Sequence, residues 1–389
     1  MNILRQIWIV SALNFSNLKT RLWQSLVIVV GMACVVGVLL SMLSMSEGMN
    51  RAYTTTGDPG RAIVVSQGAD NEVISHIGRD IGAIIESAPG IAKDADGRPI
   101  VDRGLLFGVP AIKKRHNSDS YIFMRGFGPK GLALRPDFKI AAGRSFQPGK
   151  RELIAGAGAQ GQFAGMNIGD KVVLPDGPWT IVGSFTSGRD VMEGEIVGDA
   201  DTLMPAVRQK NYNSVIVRLA SPDSLSILKK ALTGNPALSV TVERQTDWYH
   251  KINDQFYTFF SGLAYTVGGI LAVGALFCAL NTMYAAVSAR GREIATLRAL
   301  GYSAFPVAVS VMAESVFLSV AGALIGAAIA WLLYDGQQDS MWINVFYLTV
   351  SPSMVGLGIL WAVVVALLGG ILPSIRAARR PVAEALRAT

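Results

Sequence analysis

Charge is scarce in this sequence: Asp, Glu, Lys and Arg together make up 16% of 389 residues, against roughly 25% in soluble proteins. Apolar residues make up 51%, and mean hydropathy is +0.38. That balance excludes a disordered chain and an all-soluble enzyme, and makes a bilayer the solvent of part of the protein. Cysteine is nearly absent. Cys34 and Cys278 each lie inside an apolar run, where a disulfide framework or a zinc site would be out of place. His76, His116 and His250 have no ligand spacing, so no metal is expected. Enzyme signatures are also missing: there is no G-x-x-x-x-G-K-S/T, no G-x-S-x-G and no H-E-x-x-H. The chain is expected to be no enzyme and to hold no cofactor of its own, so any work it does draws energy from another chain.

What is present in excess is long apolar sequence. Leu26 to Met45 carries no charge and is long enough to span a hydrocarbon core of about 30 Å as a helix. Ser44-Met45-Ser46-Glu47 lacks a small-residue cleavage site, so this run is expected to be a retained first span rather than a signal peptide. Phe259 to Val287 is uncharged and would make roughly 44 Å of helix. Phe305 to Tyr334 is broken only by Glu314, and Pro352 to Ile375 is uncharged. The expected fold is therefore an α+β membrane protein with four transmembrane helices (25–46, 256–287, 305–334 and 352–375) and a large domain inserted between the first two. An amphipathic leader (1–24), a connector (288–304), a short loop (335–351) and a tail (376–389) complete the chain.

Orientation follows from the short segments, because long translocated domains are largely exempt from the positive-inside rule. Arg5, Lys19 and Arg21 lie in the leader, Arg290, Arg292 and Arg298 in the connector, and Arg376, Arg379, Arg380 and Arg387 in the tail. The loop 335–351 has Asp335 and Asp339 and no basic residue. Both termini are expected in the cytoplasm, with residues 47–255 outside. That insertion holds 25 basic and 23 acidic residues, a near balance that argues against a nucleic-acid partner.

The insertion has soluble-domain patterning. Ala62 to Ser66 and Trp179 to Gly183 read as strands, and Val73, Ile74, Ile77, Ile81, Ile84 and Ile85 recur at helical spacing. Strand 214–219, helix 222–232 and strand 238–243 form a β-α-β unit. Residues 58–90 and 213–244 are therefore expected to make one α/β subdomain, with 91–212 as an inserted β-rich subdomain. At the membrane-proximal ends, Met42, Met45, Met49 and Tyr53 share a helical face, as do Trp248, Ile252, Phe256 and Phe260. These rows outrun the bilayer and predict a two-helix stalk, supported on its second helix by an Asp247–Lys251 pair.

The connector Ala289-Arg-Gly-Arg-Glu-Ile-Ala-Thr-Leu-Arg-Ala-Leu-Gly301 is more than a positive-inside loop. Arg290, Glu293 and Leu297 fall at i, i+3 and i+7, with Ile294 beside Leu297 and Arg298, so a short helix carries a charged edge and an apolar seam. Gly301 suits the helix stop. This stretch resembles the corresponding connector of the MacB/FtsX/LolC-type permeases of ABC transporters, the type VII mechanotransmission class, approximately E-R-x-R-E-I-x-x-L-R-A-L-G. Ala289 stands where the family has an acidic residue, and Gly291 where it has a larger one. The resemblance continues through the leader Asn17 to Leu22, the external Ala142 to Phe146, Asn167 to Asp170 and Thr180 to Gly183, Glu314 with Gly322 to Gly326, and the tail from Leu372 to Arg387.

The resemblance implies a permease homodimer or pseudo-symmetric pair in the inner membrane, with a periplasmic insertion. Its connector helix (Arg290, Arg292, Glu293, Ile294, Leu297, Arg298, Leu300 and Gly301) would dock on a separate ABC ATP-binding subunit, which binds the ATP and Mg. ATPase closure would be relayed through the stalk (Met45, Met49, Tyr53, Trp248, Ile252 and Phe256) to drive export from the periplasmic side, together with a periplasmic adaptor. A signalling subunit that activates a cell-wall hydrolase, and a lipoprotein or lipid extractor in contact with membrane lipids, are the alternatives. Gly322 and Gly326 form G-x-x-x-G, which permits close helix approach, within the chain or between copies. Glu314, roughly 13 Å into its span, is an intramembrane carboxylate expected to face the bundle and bond to Ser or Thr hydroxyls.

Overall fold

The computed structural model describes residues 5–10, 22–115, 117–235, 237–289, 291, 295–296, 299, 302–341 and 344–379. In chain order its first elements are α1 (Leu22–Thr55), β1 (Arg61–Ser66), α2 (Arg79–Glu86), β2 (Val101–Lys113), β3 (Ser118–Phe127), β4 (Lys139–Gly143), β5 (Glu152–Gly156), α3 (Ala157–Gln162), β6 (Lys171–Leu174) and β7 (Gly177–Thr186). A 3₁₀ turn (Val191–Gly194) leads to β8 (Ile196–Asp199), α4 (Ala200–Ala206), β9 (Ser214–Arg218), α5 (Ser224–Thr233), β10 (Val240–Arg244) and α6 (Gln245–Ala289). Then come α7 (Ala304–Tyr334), β11 (Gln338–Met341), β12 (Asn344–Tyr347) and α8 (Pro352–Arg379). Two compact units result: a helical unit of Met1–Ser46, Phe259–Asp335 and Thr349–Thr389, and a mixed unit of Glu47–Thr258 and Gly336–Leu348.

Among the described residues four helices, α1, α6, α7 and α8, are long and apolar enough to cross a membrane. Small residues let their backbones meet. A Cβ added at Gly322 would strike the carbonyl oxygen of Val29, and one at Gly326 that of Ala33, so α7 lies directly against α1. A Cβ at Gly358 on α8 would come within 2.8 Å of Val36. The core between these helices combines Val36 and Leu40 of α1 with Ala323 and Ala327 of α7 and Ala362 of α8.

In the mixed unit the strands follow one hydrogen-bonded path, β10-β1-β9-β2-β3-β8-β5-β7-β4, with β6 on β7. β9 and β10 both run antiparallel to β1, and α5 carries the chain from one side of it to the other. The expected β-α-β unit is therefore present with β1 between its strands. β2 joins this region to the rest: Val101–Gly104 pair with β9 and Leu105–Lys113 with β3. Sequence patterning divides the insertion into two subdomains, whereas the structure runs one sheet path through both.

Three further expectations need correction. The helix expected from Val73 onward begins only at Arg79: Ser75 Oγ accepts from Ser66 N, Asn71 Oδ1 accepts from Ile74 N, and Ile77 bridges Tyr212, which together hold 71–78 as a loop. Lys251 pairs with Glu243 at 3.6 Å rather than with Asp247. Residues 335–351, read as a loop, contain the β11–β12 hairpin, which belongs to the mixed unit.

Candidate functional site

Within the mixed unit the last turns of α1 pair with the first turns of α6. Asn253 Nδ2 donates to Asn50 Oδ1 at 2.8 Å, and Tyr53 stacks on Phe256 with ring centroids 6.1 Å apart. Met49, Tyr53 and Trp248 are buried, whereas Ile252 and Phe256 are half-buried. Met45, also half-buried, belongs to the helical unit. Thr56 closes α1 by donating to Ala52 O at 2.6 Å and accepting from Val191 N at 3.1 Å.

Beside this pairing lies a buried charge cluster assembled from five separate segments. Arg125 on β3 donates through Nε and a terminal nitrogen to both oxygens of Glu195, at 2.6 and 3.0 Å, and through its other terminal nitrogen to Glu72 at 2.9 Å. Glu72 also accepts from Ser214 Oγ at 3.0 Å and from the Tyr249 hydroxyl at 2.9 Å. Burial opposes ionisation of Glu72, but the Arg125 charge and these hydrogen bonds hold its carboxyl below the ordinary range. Burial likewise opposes the Arg125 charge, and Glu195 and Glu72 outweigh it, keeping the guanidinium well above its usual value. Burial together with Glu72 raises the Tyr249 phenol. The cluster is thus two carboxylates on one guanidinium.

A second acidic group tethers the hairpin. Glu193 in the 3₁₀ turn accepts from Ser187 N at 2.8 Å, Arg189 N at 2.9 Å and the Tyr347 hydroxyl at 3.3 Å, and the Arg189 guanidinium lies 4.9 Å from the centre of the Tyr347 ring. Asp190 accepts from Ser187 Oγ and, at 3.0 Å, from Met192 N. Burial, with Glu195 and Glu193 close by, pushes its carboxyl up to about 7.

The candidates from sequence fall unevenly on this geometry. Arg290, Arg292, Glu293, Ile294, Leu297, Arg298, Leu300 and Gly301 lie outside the described residues. Glu314 is buried and lines a small pocket with Ser25 and Thr282. Gly322 and Gly326 pack against α1 of the same chain. Among the described residues, no group of three or more His, Cys, Asp or Glu side chains could hold a metal. Sequence reasoning missed Glu72, Arg125, Glu195, Tyr249, Asp190 and Glu193. The one local signal was the density of acids in Asp190-Val-Met-Glu-Gly-Glu195 between apolar strands.

Two family models match the chain. An FtsX-like permease C-terminal model covers residues 265–382, taking in part of α6 and all of α7 and α8, and a MacB-like periplasmic core domain model covers residues 25–235. The chain belongs to the MacB/FtsX-type permeases of ABC transporters. This permease is 24% identical over 232 residues to the macrolide export ATP-binding/permease protein MacB of Hahella chejuensis (strain KCTC 2396). The match covers 56% of the permease and 35% of that relative, so the permease spans about a third of the relative's length. The relative's name joins ATP binding and permease in one protein. The crystal structure of the extracellular domain of the noncanonic ABC-type transporter YknZ from Gram-positive bacteria aligns with a TM-score of 0.36 at 16% identity, covering 47% of the permease and 99% of that chain. The periplasmic region of MacB from Actinobacillus actinomycetemcomitans aligns with a TM-score of 0.37 at 12% identity, covering 50% and 93%.

Proposed function

We propose that this permease is the membrane subunit of an ATP-driven exporter that works from the periplasmic side. In this reading its four apolar helices span the inner membrane with both termini cytoplasmic, and two copies pair. Connector 288–304 docks on a separate ATP-binding subunit, where ATP and Mg reside, and the periplasmic unit engages an adaptor and the cargo. The observation that carries the reading is the continuity of α1 and α6. At 34 and 45 residues they are roughly 51 and 68 Å long, well beyond a hydrocarbon core of about 30 Å. Each runs unbroken from the helical unit into the mixed unit, where the two are bonded through Asn50 and Asn253. Displacing either helix at its apolar end would therefore load the mixed unit directly.

The test uses the permease reconstituted with its ATP-binding subunit and a cysteine at the exposed Ile227. ATP is expected to change the rate at which that cysteine reacts with a maleimide. Thr258→Pro, which interrupts α6 where the units divide, should abolish the change while the ATPase still copurifies. An ATP-driven change that survives the proline sinks transmission through α6. Hydrolysis of ATP by the pure permease sinks the separate-subunit reading.

A further inference from the structure

Glu72, Arg125 and Glu195 also line a cavity of about 390 Å³ within the mixed unit. That size falls in the range of small-molecule sites, roughly 300 to 1,000 Å³. Apart from Asn71 and Tyr249 its other walls are largely apolar, with Tyr53 from α1, Ile252 and Phe256 from α6, and Leu106, Phe123 and Ile74 from the sheet and the loop after β1. Ile74 is 52% exposed, so its side chain can be reached from solvent at the cavity's edge. Three hydrogen bonds engage Arg125 with the two carboxylates, so its charge is committed within the cluster. Two carboxylates against one guanidinium leave one negative charge over. The Glu195 oxygens accept from Arg125 and retain lone pairs, since a carboxylate offers about four acceptor sites.

We propose that this cavity binds a small amphipathic cation, its apolar body against Tyr53, Ile252, Phe256 and Ile74 and its positive group beside Glu195 and Glu72. An anion would meet the excess negative charge, and a strongly polar cation would strip water from the apolar walls without replacing it. An occupant touches α1 through Tyr53 and α6 through Phe256, so both helices meet the ligand at one place. The proposal goes beyond the export reading, and its test needs no ATP-binding subunit, so the two can fail separately.

The full chain, with Cys34→Ala, Cys278→Ala and Ile74→Cys, is placed in lipid nanodiscs and labelled with a soluble maleimide. Tetraphenylphosphonium and tetraphenylborate serve as probes, because they share shape and apolar surface and differ in the sign of charge. The cation is expected to slow labelling at position 74 saturably, and the anion to leave it unchanged. Glu195→Gln should raise the cation concentration needed by about tenfold, the factor that corresponds to 1.4 kcal/mol. Since that variant disturbs a buried pair, Val73→Trp provides the second arm: it fills the cavity from the loop, leaves the charges in place, and should abolish protection. Equal protection by the anion, no protection by the cation, or protection unaffected by Val73→Trp overturns the proposal.

Discussion

Asp190 carries a cost that depends on pH. Its carboxyl is buried, with Glu195 and Glu193 adding like charge, and titrates at about 7 instead of 3.8. Below pH 4 it is protonated in both folded and unfolded chains and contributes no pH dependence. From about pH 4 to 7 the unfolded chain has released the proton while the folded chain keeps it, so stability falls as pH rises, and above pH 7 the whole cost is present. The cost of ionising it in the folded chain is on the order of 4 kcal/mol. Asp190→Asn keeps an acceptor for Met192 N and Ser187 Oγ and removes the titration. Thermal unfolding of the full chain should show this variant more stable than the parent at pH 8, with the difference shrinking toward pH 4.5. A difference independent of pH would refute the assignment. Arg125 is the opposite case: removing it would strand two buried carboxylates, and breaking such a pair typically costs about 3 to 5 kcal/mol.

Between elements, α7 approaches α1 closely in the helical unit, at Gly322 and Gly326. Small residues matter there because, between helices in lipid, attraction comes from close packing rather than from expelling water. Gly326→Ala should force the two backbones apart and destabilise the bundle by about 1 to 3 kcal/mol, the usual range for overpacking. Gly31→Ala on α1 meets nothing within 4 Å and should be neutral or stabilising, by up to about 1 kcal/mol from helix propensity. Unfolding temperatures in detergent should therefore move in opposite directions, or only Gly326→Ala should lower them. Equal effects would mean that the glycines are interchangeable filler. The hairpin β11–β12 is the other element whose role rests on packing: Val345 is buried in the core of the mixed unit, and Tyr347 is held by Glu193 and Gln338.

For the whole molecule, the proposed mechanism requires force to enter at the connector and to leave on the opposite side of the membrane. In that mechanism Ile294 and Leu297 form the apolar seam that docks on the ATP-binding subunit. Burial of one such side chain contributes about 1.5 to 3 kcal/mol, tenfold or more in binding. Leu297→Asp should release the ATP-binding subunit on copurification. Glu293→Ala should retain most of it, since an exposed ion pair contributes under about 1 kcal/mol. Full retention by Leu297→Asp at matched expression would make the connector an ordinary solvated loop. Orientation is checked independently: in intact cells an impermeant thiol reagent is expected to reach cysteines placed at Asp335 and Ser187 but not at Arg292, and labelling at Arg292 would invert the topology.

The four apolar helices, the β-α-β unit around 214–244 and the charge asymmetry between the short loops were legible in the sequence. Each is a local property: hydropathy summed over twenty residues, apolar spacing along one element, arginines counted in one loop. The apolar rows from Met42 to Tyr53 and from Trp248 to Phe260 also marked α1 and α6 as longer than a bilayer needs. Other features depend on segments far apart in the chain. Glu72, Arg125, Glu195, Ser214 and Tyr249 are ordinary polar residues in their own surroundings. Only the path β9-β2-β3-β8, with the loop after β1 and the start of α6, brings them together and removes their water. The helical spacing of Val73, Ile74 and Ile77 failed for the same reason: hydrogen bonds from backbone N–H groups to Ser75 Oγ and Asn71 Oδ1 and the bridge from Ile77 to Tyr212 outweigh a local preference for helix. Gly322 and Gly326 could be seen in the sequence to invite a neighbour, but the fold decided that the neighbour is α1, because a glycine specifies close approach without specifying what approaches.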